Sequence, residues 1–411
     1  MRISKLSKRN DNVFCFLLWT WTFFMGAYLV YQQILSSGLT YASDYVPHIN
    51  LALCGKGYSL FSLIISSFFR VAGERIAIAR YLIAIFMGMV IASTGVALRY
   101  ALRMLLEFEG EFEYETKSEC VLTLVSYGLI FLCTFKIPGI TAFYIMSDDA
   151  GRACYRGPYF LGTIITQPWH NPTYLCMRPF AIMTFAIFVG ILNETGKVSV
   201  KRYSCFLFLL TLCNACKPNF VVVFAPAACI ICVVSCIKNH GKNFMRYLIL
   251  AILFIASLCV LLPEYLILFP RGSGAGTVFT IERFMYYLDS GYLLWILVAS
   301  FCFPVIVTVA SYRYKRRNKA IIYGWLLELI GFMEMMFLTE TGERRADGNY
   351  YWGVYATSII LFLVCVSELI YLYKSQKKSK LLEVALVFFI VHMVEGLMYF
   401  GIVFFGYSAL G

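Results

Sequence analysis

Long apolar runs separated by short polar breaks organise the whole chain. They fall at about 13–35, 80–104, 119–137, 174–193, 203–215, 219–237, 247–269, 292–312, 320–339, 352–373 and 381–407. A helix needs about 20 apolar residues to cross a hydrocarbon core, at about 1.5 Å of rise per residue. Runs of this length, without the alternation of a barrel strand, predict helices. The expected fold is therefore an all-α polytopic membrane protein of about eleven transmembrane helices, one integral membrane domain over residues 1–411. The least regular place is "ACKPNF", where Lys217 and Pro218 interrupt the pattern. It predicts two helices meeting at a membrane surface, the first too short to span upright. A single broken span is the alternative, and it would invert everything downstream.

A shorter run has a different meaning. "YSLFSLIISSFF", residues 58–69, is too short to span and too apolar for a free loop. It predicts a helix lying along the membrane surface. Just before it, "YASDYVPHIN" sets Asp44 and His48 four residues apart, on one face if the segment is helical. Asp44 is thus expected between a transmembrane helix and a surface helix.

Composition agrees with the pattern. The chain is 60% hydrophobic and 14% charged, with a mean hydropathy of +0.74, where a soluble domain carries about 25% charge. Orientation comes from the basic residues. Placing the N-terminus in the cytoplasm puts 22 of the 35 Lys and Arg on inner segments, many in short loops such as "YRYKRRNK" and "KSQKKSK". The C-terminus is then expected outside. One inner loop, "LLEFEGEFEYETKSE", carries six glutamates among aromatics and is expected to be a solvated face. The net charge of +12 fits loops facing anionic lipid headgroups and implies no nucleic acid. No Gly-rich phosphate loop opens a helix, and the first apolar run is too long for a signal peptide. Cys229, Cys232 and Cys236 lie at helical spacing with no His or carboxylate beside them, so packing is expected of them.

Candidate chemistry gathers in the outer loops 36–79, 138–173, 270–291 and 340–351. The second holds Asp149 and His170, then "HNP", with Asn171 as an N-cap and Pro172 in the first turn. Arg178 follows about two turns inside that helix, where a cation needs a partner. Trp169 and Tyr174 are expected in the interface belt. Lys217 and Asn219 mark the short-helix junction. Arg271 lies in the third loop, and Arg344, Arg345, Asn349 and Trp352 lie in and just after the fourth. Cations near so many helix ends could form a basic, aromatic-walled cavity suited to a phosphate.

In layout the chain resembles the GT-C class of polytopic glycosyltransferases, which use polyprenyl-phosphate-linked sugars. The likeness lies in the inner N-terminus, about eleven spans, and a long first outer loop with an acid near its start. "ACKPNFVVVFAPA" looks like a Lys-Pro junction of bacterial members, and "TETGERRADGNYYWG" resembles a late outer loop ending in Asn and an aromatic. Several members carry paired acids where this chain has a lone Asp44 followed by Tyr45, so a divalent metal stays open as a cofactor. The resemblance implies inverting transfer from a lipid-linked sugar donor to a glycan, lipid or protein acceptor. Asp44 would be the general base and His48 would orient it or the sugar. Asp149, His170, Arg178, Lys217, Asn219, Arg271, Arg344, Arg345, Asn349 and Trp352 would hold the donor and its phosphate.

Two other classes compete. A transporter or flippase of a lipid-linked saccharide would also need a basic cavity, with Glu328, Glu334, Glu368, Glu395 and His392 as its relay. A glycan ligase or polymerase would want a larger outer loop. No internal repeat of the transporter kind is visible.

Overall fold

A computed structural model describes residues 5–36, 41, 43–73, 75–108, 116–134, 144–147, 153–156, 169–268, 276–289, 292–342, 348–375 and 379–406. The chain begins with α1 (Lys5–Leu35), two short helices α2 (Tyr45–Leu53) and α3 (Leu60–Val71), and the long α4 (Ile76–Phe108). Then come α5 (Thr116–Gly128), continued by a 3-10 turn at Leu129–Phe131, and α6 (Pro172–Asn193), α7 (Val200–Cys216), α8 (Asn219–Lys238), α9 (Phe244–Leu258) and α10 (Leu261–Leu268). The second half holds α11 (Glu282–Asp289), α12 (Tyr292–Arg313), α13 (Lys319–Phe337), α14 (Tyr351–Ser375) and α15 (Lys380–Phe404). Two small antiparallel ribbons complete it: β1 (Tyr144–Ser147) with β2 (Ala153–Arg156), and β3 (Thr277–Phe279) with β4 (Leu338–Glu340).

Among the described residues, nine segments are long and apolar enough to cross a membrane, so this is a helical multi-pass membrane protein. Two of the eleven expected runs form helices below span length among the described residues, and for one of them, 203–215, that was expected. The run at 119–137 forms α5 and its 3-10 turn, after which Leu132 is extended. The run at 203–215 forms the 17-residue α7, which stops because Lys217 precedes proline and is driven to φ −165°, ψ 120°. The apolar segment over 244–267 is built from two helices, α9 and α10.

α14 is the central helix, buried along almost its whole length from Tyr351 to Leu372. Its neighbours approach closely where side chains are small, as helices in lipid must. A Cβ at Gly88 of α4 would lie 2.7 Å from the Phe23 carbonyl oxygen of α1. At Gly396 of α15 it would lie 1.2 Å from the Phe131 oxygen, so α15 can cross the 3-10 turn only through glycine.

The charges inside the bundle have partners that the sequence did not reveal. Glu368 accepts from Ser311 Oγ (2.7 Å), Asn318 Nδ2 (2.7 Å) and Arg316 Nε (2.9 Å). Glu328 accepts from Thr357 and Ser358, each at 2.7 Å. His392 Nδ1 lies 2.7 Å from the Cys133 carbonyl. Glu119 pairs with Arg99 and Arg103. The expected interface-belt residues are instead interior. Trp169 packs on Phe131 and Phe400, and Tyr174 on Trp352, because α6 is buried from its first turn.

Candidate functional site

The first loop folds back onto the start of α6. Asp44 caps α2 by position, and its amide donates to the His170 carbonyl at 3.0 Å. Asn171 is the N-cap of α6, with Pro172 in the first turn, as "HNP" predicted. Its Oδ1 accepts from the Tyr174 amide (2.9 Å), while its Nδ2 donates to Asp44 Oδ2 (2.7 Å). One amide thus satisfies a helix terminus and holds a carboxylate, two needs that a single Asn can meet.

The same residue reaches the cation. Thr173 Oγ1 donates to Asn171 Oδ1 at 2.9 Å and accepts from Lys217 Nζ at 3.3 Å. A chain of hydrogen bonds therefore runs from the Lys217 ammonium through Thr173 and Asn171 to the Asp44 carboxylate. Its dipoles all point the same way, donor to acceptor, so each bond polarises the next. Lys217 is 9% exposed and lies 4.6 Å from the centre of the Trp352 ring, which opens α14. Asp44 is the accessible end, with 41% of its side chain exposed.

Two imidazoles flank this pair. His170 Nε2 is 3.9 Å from Asp44 Oδ2, and its ring lies 5.8 Å from that of Trp352. His48 sits one turn into α2, stacked edge-on against Phe61, and its Nδ1 has no hydrogen-bond partner among the described residues. Burial pushes both down to about 4, helped by the positive charge of Lys217 and opposed by Asp44. Both rings are neutral near pH 7.

Lys217 also lines a cavity of about 440 Å³ between the α7–α8 junction and the β3–β4 ribbon. Thr173, Asn219, Asn349 and Glu340 give it polar walls; Tyr58 and Tyr265 give it aromatic ones. Asn219 Nδ2 donates to the Asn349 carbonyl (2.6 Å), and Asn349 Nδ2 to Glu340 Oε2 (2.5 Å). The cavity therefore has a cationic wall and an acidic one, suited to a ligand with both an anionic group and hydroxyls.

The structure thus gathers Asp44, His48, His170, Lys217, Asn219, Asn349 and Trp352 at one end of the bundle. Arg178 is not brought to the cavity: it is 1% exposed within α6, with its guanidinium 5.8 Å from the Trp169 ring. Asp149, Arg271, Arg344 and Arg345 lie outside the described residues. Among the described residues no three His, Cys, Asp or Glu side chains are grouped to hold a metal ion. The sequence reading missed Thr173, the link between Asn171 and Lys217, and gave Glu340, though in the candidate loop 340–351, no role in the site. A Thr two residues after an N-cap Asn is the local signal for the first; nothing local signals the second.

Comparison of this chain with protein-family models, with curated proteins and with solved structures finds no match.

Proposed function

We propose that this chain is an inverting glycosyltransferase of the GT-C type. It transfers a sugar from a polyprenyl-phosphate donor to a hydroxyl of a cell-envelope glycan, lipid or protein. The site lies on the outer face of a bacterial plasma membrane, with the N-terminus in the cytoplasm and the C-terminus outside. The observation that carries this reading is the Lys217–Thr173–Asn171–Asp44 chain, whose Lys217 and Thr173 end lines a polar cavity. It keeps a cation and a carboxylate in one site without letting them neutralise each other in a direct ion pair.

The chemistry needs both. Asp44, the exposed end, takes the proton of the acceptor hydroxyl as its oxygen attacks the anomeric carbon. The bond from that carbon to the phosphate oxygen breaks, and the leaving phosphate gains charge beside Lys217. Asn171 orients the base, and the buried, neutral His170 packs beside it, 3.9 Å from Asp44 Oδ2. Asn219, Asn349 and Glu340 offer donors and acceptors for the rest of the sugar. The rival relay of buried acids finds less support, since Glu328, Glu368 and His392 are each held by hydrogen bonds that account for them by packing.

The test compares lipid-linked sugars and envelope glycans in a deletion strain carrying wild type or Asp44→Asn. Transfer predicts that Asp44→Asn, at normal protein levels, leaves the glycan unmodified and the donor accumulating in the outer leaflet. Turnover should fall about 10²–10⁴-fold, the usual worth of a positioned base. Donor confined to the inner leaflet would instead identify a flippase, and an unaffected glycan would remove Asp44 from the chemistry.

A further inference from the structure

A second charged site lies at the opposite end of the bundle. α8 leaves the cavity at Asn219 and ends at Lys238, whereas α13 begins at Lys319 and leads back through β4 to the cavity. The two helices pack together, and their far ends frame a cleft of about 270 Å³. Lys238, Asn239 and Lys319 stand exposed at its mouth, above a floor of Ile230, Val234 and Leu326. A second cleft, of about 190 Å³, flanks the same first turn of α13 on its α12 side. Arg316, Arg317 and Asn318 edge it, Trp325 lines it, and Ile322 borders both clefts.

The local electrostatics are unbalanced. The buried acid near the second cleft, Glu368, is already bound by Arg316, Ser311 and Asn318. Lys238, Arg317 and Lys319 make no ion pair among the described residues. They surround the N-terminus of α13, itself the positive end of a helix, and its first turn carries no acidic residue. Cations at that end are the wrong sign for the helix dipole. An anion seated there would relieve both repulsions at once.

We infer that these clefts bind the phosphate headgroup of an anionic glycerophospholipid, in the leaflet facing away from the cavity. The phosphate lies between Lys238 and Lys319, with Arg317 on the other side of the helix, and an acyl chain runs down the apolar floor. A soluble phosphate would satisfy the cations but leave that floor unused; a zwitterionic lipid would fill the floor but bring its own cation to the mouth. Basic pockets between helices at a membrane surface favour anionic headgroups by about 1 kcal/mol for each Lys or Arg, or roughly five-fold in affinity.

Native mass spectrometry of the detergent-solubilised full chain tests this, with phosphatidylglycerol, phosphatidylcholine and glycerol phosphate as probes. Phosphatidylglycerol should be retained, phosphatidylcholine should not, and glycerol phosphate should not displace the bound lipid. Lys238→Gln with Lys319→Gln should weaken retention by about 25-fold, the product of two roughly five-fold losses. The corresponding double Arg variant should keep it. Lys201→Gln, which removes an exposed cation at the same end but outside the clefts, should leave it unchanged. Equal retention by the double Gln variant, displacement by glycerol phosphate, or an equal loss in Lys201→Gln would overturn the assignment.

Discussion

Replacing Asn171 separates the parts of the site by their energies. Asn171→Ala removes the α6 cap, worth about 1 kcal/mol. It also leaves the buried Thr173 hydroxyl without its acceptor, about another 1 kcal/mol. The bond to Asp44 is charge-assisted, but the carboxylate is 41% exposed and water can replace the lost donor, so about 1 kcal/mol is a fair share. The alanine variant should therefore lose about 3 kcal/mol in all. Asn171→Ser keeps an N-cap oxygen and should lose about 1–2 kcal/mol. Asn171→Asp behaves differently. It retains the cap but sets a carboxylate against Asp44 Oδ2, so the pair binds a proton more tightly folded than unfolded. A raised pKa means stability that is present at low pH and lost as pH rises, so this variant alone should melt lower at pH 8 than at pH 5 relative to wild type. Thermal unfolding in detergent, followed by tryptophan fluorescence, reads all three, since Trp169 and Trp352 flank the site. An alanine variant as stable as the serine one, or an aspartate variant with the wild-type pH profile, would refute the two-ended role of Asn171.

The two histidines predict a pH dependence of opposite sign. Each is held at about 4 against about 6.5 unfolded, so folding favours the neutral ring. That contributes up to about 3 kcal/mol each, fully present above pH 6.5 and lost as pH falls toward 4, and His48→Asn with His170→Asn should flatten the acid limb of the melting curve. Lys217→Met should weaken binding of a polyprenyl monophosphate by about 10-fold or more, the scale of a charge-assisted contact, and unchanged binding in nanodiscs would remove Lys217 from the phosphate site. Gly396→Ala should destabilise by more than about 3 kcal/mol or fail to accumulate, because its Cβ would fall on the Phe131 carbonyl. Single-cysteine labelling near Ser43 from outside, with positions near Asn318 such as the exposed Lys315 reached only after permeabilisation, checks the orientation; the reverse pattern would move the proposed chemistry to the cytoplasmic face.

The sequence by itself determined the class, most of the spans and several of their ends. Apolar run length is a one-dimensional property, and caps are local, so "HNP" and "CKPNF" could be placed at helix boundaries from neighbouring residues alone. It also flagged Asp44 and Lys217, because charge beside a long apolar run is conspicuous. Their connection was decided by tertiary structure. Thr173 matters only because α7 ends against the first turn of α6, and Glu340 only because β4 pairs with β3 and faces Asn349. Likewise Trp169 and Tyr174 read as belt residues until α6 is seen buried at its outset, and Arg178 reads as a phosphate ligand until it is found inside the bundle. The run at 119–137 falls short of a spanning helix for the same kind of reason: hydropathy measures what a segment would bury, whereas length and burial are set by the neighbours that pack on it. Which face a residue presents, and what meets it there, depends on contacts between segments that lie from tens to more than a hundred residues apart, and no local pattern encodes those.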